Sequence, residues 1–473
     1  MKLKIYFTII SLLVLIIACK AIDEKSNLDK ESISQKTDEL VEKYVALDIF
    51  SGAVLIAEDG KPFYKKAFGL ADRENNIENT TKTKFDIGSM NKTFTKVVVY
   101  QLAEEGKLKL DDKLGNYLDG FPKESSEKIT IENLLNHSSG YGDYHSPEYF
   151  NLPREKKNIA GLLPLIKKMK LHFEPGTDQD YSNAGYILLG GIIEKVSGKS
   201  YYQNVRERIT EPLSLNETYL EKKDQVPVRA IGYFKTAKGE IEDNGNEVEI
   251  PNPDGGFQST VSDILKFYRE YYYGDKLLSA KIKSEMEEFS YYEEVSKTRG
   301  AVTQAGGFPG ANTVIYEILR DKISIIVFAN MDEPVAEQLG AGILALVRGE
   351  EPEEPALPAI QNIYAAIEEF GAKYVKNNFD KLTKNFHPSD PKDLILNQVG
   401  YEFLFDDEID KAIIAFKLNV EMFPEVANCY DSLGEALFKK GNKKEALKNY
   451  KKALELNPHM PSAQRMVREL SGE

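Results

Sequence analysis

A serine hydroxyl becomes a useful nucleophile only when a base stands ready to take its proton. The stretch Phe85-Asp86-Ile87-Gly88-Ser89-Met90-Asn91-Lys92 offers such a pairing, with Ser89 three residues ahead of Lys92. The residues that follow predict a helix, because Met90, Phe94, Val97, Val98 and Leu102 fall on one helical face. On its first turn Ser89 and Lys92 would lie on the same side. A partly desolvated lysine can serve as the base, since burial lowers the pKa of an amine. The helix N-terminus adds unpaired N–H groups and positive potential where an oxyanion would form. Ser-x-x-Lys recurs at Ser125–Lys128 and Ser389–Lys392, but only the pair at Ser89 follows a glycine and opens an apolar-faced helix. In isolation the pattern also reads as a helix cap with a surface lysine.

Two further stretches carry groups of the right kind. Tyr181-Ser182-Asn183 stands before an apolar run and offers a phenol to relay protons and an amide to orient a carbonyl or the lysine. The same Tyr-x-Asn spacing occurs at Tyr149–Asn151 and Tyr202–Asn204, so it is weak alone. Thr303-Gln304-Ala305-Gly306-Gly307-Phe308-Pro309-Gly310 has glycines that let backbone approach a ligand, and an N–H there can complete an oxyanion hole. Val196-Ser197-Gly198-Lys199-Ser200 ends like a phosphate loop but has Ile193 where a glycine is required, so Gly198 reads as a helix C-terminal glycine. Tyr271, Tyr272 and Tyr273 read as the core and rim of a helix end.

Taken in order, these stretches resemble the serine beta-lactamase and penicillin-binding-protein superfamily, above all its class C branch with the related D,D-carboxypeptidases, D-aminopeptidases and esterases. Leu134-Leu135-Asn136-His137-Ser138-Ser139-Gly140 is similar to that branch's Leu-Leu-x-His-Thr-Ser-Gly turn. Asp254-Gly255-Gly256-Phe257-Gln258-Ser259-Thr260-Val261-Ser262-Asp263 is similar to its Gly-Gly-x-x-Ser-Thr-x-x-Asp helix start. The resemblance runs from about residue 50 to 348. It implies Ser89 as the acylated nucleophile, Lys92 and Tyr181 as base and relay, and no metal or cofactor. Asn183, Gln304 and Gly306 would bind substrate, and the backbone N–H groups of Ser89 and Gly307 would hold the oxyanion. His137 reads as a loop-pinning residue. Where the superfamily usually has Lys-Thr-Gly or His-x-Gly, this chain has Gln304-Ala305-Gly306. A neutral glutamine supplies no cation for the carboxylate of a penicillin or a D-alanyl peptide. The expectation is an ester- or amide-cleaving serine hydrolase with reduced beta-lactam recognition. Two rivals stay open, a penicillin-recognising carboxypeptidase and a non-catalytic or weakly active protein whose C-terminal half recruits a cell-envelope partner. Lys297-Thr298-Arg299-Gly300 lacks the Gly-Gly-x-Pro-Gly continuation and reads as loop.

The elements that must position these groups are legible as two rhythms. Residues 51–57 and 62–68 flank Glu58-Asp59-Gly60 as one hairpin, and 312–319 and 323–329 flank Arg320-Asp321-Lys322 as another. Between them the pattern is mostly helical, which predicts an α+β domain at 46–349, an antiparallel sheet flanked by helices with a helical lobe inserted. After a charged, proline-broken linker at 350–358 no strand pattern recurs. A repeat of 34 residues appears there, aligning Leu396 with Tyr430, Gly400 with Gly434, Ala412 with Ala446, Phe416 with Tyr450 and Pro424 with Pro458. That period is the tetratricopeptide one, so 359–473 is expected to be an all-α domain, with a degenerate unit at 359–392 and a capping helix at 459–471. Such stacks bind peptides or simply buttress their neighbour, and both readings stand.

The chain starts Met1-Lys2-Leu3-Lys4, continues with an apolar run from Ile5 to Ala18 and reaches Cys19. The run is too short to span a bilayer of ~30 Å and reads as a signal peptide at 1–19. Its end resembles a bacterial lipoprotein signal, with Cys19 the lipidated residue; a plain secretion signal is the other reading. Residues 20–45 read as a polar tether, and the mature protein as an extracytoplasmic lipoprotein held on the membrane by lipid alone. No other apolar run reaches spanning length. The length of 473 residues leaves room for about three domains at ~150 residues each. With 61 Lys plus Arg against 75 Asp plus Glu, the net charge of -14 argues against nucleic-acid binding. Two cysteines exclude a disulfide framework, and the five histidines include no His-x-x-x-His pair for a zinc helix.

Overall fold

The computed structural model describes residues 28–245, 250–384 and 391–471. Strands β1 (Gly52–Glu58) and β2 (Lys61–Phe68) form the first hairpin. Its two-residue turn is Asp59-Gly60, with φ of 48° and 74°. Both values are positive, as a hairpin turn that matches strand twist requires. Strands β3 (Val302–Phe308), β4 (Ala311–Ile318) and β5 (Ile323–Ala329) complete a five-stranded sheet in the order β2-β1-β5-β4-β3. Every pairing in it is antiparallel. Chain positions 273 residues apart thus meet at the β1–β5 seam, where Val54 pairs with Val327. β4 and β5 are buried along their whole length. Their continuous Val and Ile runs therefore mark strands covered on both faces, not half-exposed ones.

Helix α1 (Lys30–Ala46) packs on β2 and on the helix Val335–Arg348, which itself lies on β4 and β5. Over residues 30–45 this corrects the tether expected at 20–45, of which 20–27 lie outside the described residues. Ile33, Thr37, Leu40, Val41 and Tyr44 are buried at helical spacing, and Asp29 caps the first turn by accepting the Ser32 N–H. The stripe is easy to overlook because charged residues separate its members, and only tertiary packing gives it a partner. The signal-peptide and lipidation expectations, Cys19 included, fall outside the described residues. Among the described residues no helix is long and apolar enough to cross a membrane.

Two helices form the heart of the inserted lobe. α2 (Asn91–Glu104) is buried nearly all round, and α3 (Asn183–Ser197) packs against it and ends at Gly198 with φ 70°. α4 (Val261–Tyr273) packs on β1 and β5, with Tyr271 and Tyr272 in the core. A two-residue strand at Phe85–Asp86 pairs with Gln258–Ser259, which draws the start of α2 beside residues 254–257.

The chain divides into two compact units, Met1–Tyr233 with Asp243–Glu353, and Phe234–Glu242 with Glu354–Glu473. The short 234–242 segment therefore goes with the helical unit, although the sequence suggested an uninterrupted domain over 46–349. Within that second unit Lys238 pairs with Asp406. A long helix over Ala359–Leu382, broken at Gly371 with φ 75°, precedes five more helices, Asp393–Phe405, Ile409–Met422, Ala427–Lys439, Lys443–Leu456 and Pro461–Ser471. The repeat has a physical reason at its glycines. A Cβ on Gly400 would sit 2.4 Å from the Phe416 ring, and one on Gly434 would sit 3.0 Å from the Tyr450 ring. In each unit an aromatic lies flat against a bare helix backbone, so paired helices cross closely.

Candidate active site

The turn that carries Ser89 is held by backbone packed on backbone. Gly88–Met90 form a single 3-10 turn that runs directly into α2. Gly88 has φ 49°, and a Cβ there would stand 2.6 Å from the Gly307 nitrogen. At Gly306 a Cβ would meet the Ile87 carbonyl oxygen at 2.3 Å and the Ser89 nitrogen at 2.5 Å. The edge strand β3 thus lies against the nucleophile turn only because both segments lack side chains at the crossing. From β4 the Thr313 hydroxyl reaches the carbonyl oxygens of both Ile87 and Gly306, each at 3.1 Å, and ties the two segments together.

Around Ser89 the polar groups converge. Lys92 Nζ stands 3.0 Å from Ser89 Oγ, 2.7 Å from Asn183 Oδ1 and 2.7 Å from the Asp254 carbonyl oxygen. The Tyr181 hydroxyl donates to Ser89 Oγ at 2.7 Å. Lys92 is only 6% exposed, whereas Tyr181 is 40% exposed. The contacts to Asn183 and the Asp254 carbonyl hold the Lys92 amine beside the serine oxygen.

Asn183 is itself oriented, since its Nδ2 donates to Asp143 Oδ1 at 3.0 Å, and that oxygen also meets His145 Nδ1 at 2.7 Å. Burial pushes the Asp143 pKa up, but the bonds from His145 and Asn183 outweigh it and leave it below the ordinary carboxylate value. The Asp254 carboxyl, by contrast, is pushed up by burial, with Lys92 and the Tyr144 hydroxyl opposing that rise. The Tyr144 hydroxyl donates to it at 2.8 Å.

His137 makes no hydrogen bond to Ser89. Its φ is 56°, its Nδ1 accepts the Ser182 N–H at 3.0 Å, and its ring stacks on Tyr181 at 4.8 Å between centroids. Burial, helped by the charges of Lys92 and Lys96, lowers its pKa to about 3, so the ring is neutral. It is a positioning residue that holds Tyr181 over Ser89.

Ser89, Lys92, Tyr181 and Asn183 are therefore brought together, and Ser89, Asn183 and Gly307 line one open cleft. Gln304 and Gly306 differ from expectation. Gln304 does not line this cleft, and its Nε2 donates to the Tyr292 hydroxyl at 3.3 Å. Gly306 serves as the crossing point behind Ser89 and not as a wall. The sequence reading missed Asp143, His145, Lys157 and the Asp254 carbonyl. The Asp254-Gly255-Gly256 run was a usable signal for the last of these, while Lys157 sits in no readable motif. Among the described residues no three His, Cys, Asp or Glu side chains gather as a metal ion requires.

Comparison with known proteins adds an independent line. The family model described as Beta-lactamase matches residues 37–348, and the tetratricopeptide-repeat model matches 427–460. Penicillin-binding protein 4* of Bacillus subtilis (strain 168) is 30% identical over 314 residues, which are 60% of this chain and 69% of that protein. Teichoic acid D-alanine hydrolase of Staphylococcus aureus is 31% identical over 307 residues, 62% of this chain and 73% of that one. The solved structure of a class C beta-lactamase superposes with a TM-score of 0.56 at 21% identity, covering 69% of this chain and 99% of its own. That last likeness is one of fold.

Proposed function

Because this chain belongs to the beta-lactamase family and is a serine hydrolase within it, we propose that it cleaves an ester or amide through an acyl-enzyme on Ser89. The observation that carries this reading is the placement of Lys92 Nζ at 3.0 Å and the Tyr181 hydroxyl at 2.7 Å from one serine oxygen. In the acylation step Ser89 Oγ bonds to the substrate carbonyl carbon while Lys92 takes the serine proton. Negative charge on the carbonyl oxygen is held by the backbone N–H groups of Ser89 and Gly307. The carbon–oxygen or carbon–nitrogen bond then breaks, and the leaving group receives a proton by way of Tyr181. Water repeats the sequence on the acyl-enzyme and frees Ser89. Asn183 keeps Lys92 aligned and contacts the substrate carbonyl.

For the substrate we propose a D-alanyl ester or amide of the cell envelope, following the activity named for the Staphylococcus relative. The signal-like segment supports a location outside the cytoplasm, and we propose Cys19 as the lipid attachment point. A paired assay tests the substrate class. D-alanyl and L-alanyl p-nitroanilides, and the matching methyl esters, are offered to the protein and to Ser89→Ala. Turnover of the D-series that vanishes in the variant supports the reading, and equal turnover of both series removes the D-alanyl part. Replacing Cys19 with Ser and following the protein in membrane and soluble fractions tests the anchor.

A further inference from the structure

We propose that Lys157 is the specificity-determining cation of the cleft, selecting substrates that carry an anionic oxygen group, carboxylate or phosphate, near the scissile bond. This rests on the acyl-transfer reading of Ser89 and adds a substrate property to it. Lys157 lines the same cleft as Ser89 and Asn183, and so does Arg154 three residues before it. Its side chain is half-buried. Its Nζ lies 4.5 Å from the Tyr149 ring centroid and 6.0 Å from that of Phe150, and makes no ion pair among the described residues. In a protein of net charge -14, a cleft-lining ammonium bedded on aromatic rings with no carboxylate paired to it among the described residues points to a substrate anion as its counterion.

The backbone beneath Lys157 is not loose. Its carbonyl oxygen accepts from Asn252 Nδ2 at 3.0 Å. The Asn252 carbonyl in turn accepts from Asn91 Nδ2 at 2.8 Å, and Asn91 is the fully buried first residue of α2. The cation is thus referenced, through two side-chain amides, to the helix that carries Lys92 and follows Ser89. Gln304, which does not line this cleft and whose amide is bonded to Tyr292, supplies no cation to compete with it. The carboxyl that lines the cleft among the described residues, that of Asp254, accepts from the Tyr144 hydroxyl and makes no ion pair with Lys157. A substrate anion would therefore meet Lys157 directly, with Arg154 adding long-range attraction.

The test compares two matched pairs of esters on the full-length protein. Mono-p-nitrophenyl glutarate against p-nitrophenyl butyrate places a carboxylate on the acyl side. 1-Acetylglycerol 3-phosphate against 1-acetylglycerol places a phosphate on the leaving side. The readout is the ratio of kcat/KM, anionic over neutral, alongside labelling by an uncharged fluorophosphonate. The expected result is a ratio above one for at least one pair, falling about 10- to 100-fold in Lys157→Ala and kept within a few-fold in Lys157→Arg. The pair that responds identifies the anion. Ratios at or below one in the wild type, or a Lys157→Ala effect equal on charged and neutral esters, would overturn the proposal. A wild type that takes no fluorophosphonate and turns over no ester removes the acyl-transfer reading, and this proposal with it.

Discussion

Lys92 has three hydrogen-bond partners among the described residues and none is a carboxylate, an arrangement that suits a group taking the Ser89 proton and passing it on. Asn183 Oδ1 and the Asp254 carbonyl hold it in place from two sides at 2.7 Å each. Replacing Lys92 with Ala should lower kcat/KM for any ester by about 10²–10⁴-fold. A change under tenfold would move the base to Tyr181. His137 makes a separate prediction in pH. Its pKa is lowered from an ordinary 6.5 to about 3 by burial, so unfolding lets it take up a proton anywhere between those values. Stability from the neutral ring is fully present above pH 6.5 and is lost as pH falls towards 3, amounting to about 2 kcal/mol by pH 5. In His137→Asn, whose side chain tolerates the positive φ, the difference in urea stability between pH 7 and pH 5 should shrink by roughly that amount. An undiminished difference would mean that other groups carry the acid sensitivity.

At the scale of elements the decisive contact is the crossing of β3 and the Ser89 turn. A single methyl at Gly306 must displace either the Ile87 carbonyl or the Ser89 nitrogen, at 2.3 and 2.5 Å. Gly306→Ala should therefore cut acylation of Ser89 more than a hundredfold and destabilise the protein by about 1–3 kcal/mol. Labelling at the wild-type rate would show that the turn is not held by this crossing. Much of this level could be read from sequence. The hairpins announced themselves through turn residues beside β-branched runs, and Ser89 and Lys92 through their local spacing. What stayed hidden was non-local. The Asp254 carbonyl is 162 residues from Lys92, and a backbone acceptor has no residue signature. Asp143 lies 40 residues from Asn183, in a loop without periodicity. α1 was taken for a tether because its apolar stripe makes sense only once β2 and the helix after β5 are there to cover it. Gln304 was expected at the substrate because position in a motif says nothing of which neighbour, here Tyr292, will take the amide.

At the scale of the whole molecule the two compact units each have their own core, and each carries a chemical reporter. Cys429 is fully buried in the helical unit, and burial, with the Asp393 charge, pushes its thiol up to about 12. It should resist a thiol reagent in the native protein and react only as the helical unit opens. Gly400→Val, which drives a side chain into the Phe416 ring, should bring that reaction to lower urea. Unchanged Cys429 kinetics in the variant would contradict the close helix crossing. Ser89 reports on the other unit and on the chemistry as a whole. Intact mass after incubation with a fluorophosphonate, for the protein and for Ser89→Ala side by side, asks the central question directly. The account predicts one adduct on the wild type and none on the variant; an unlabelled wild type, or a variant labelled equally, would contradict it.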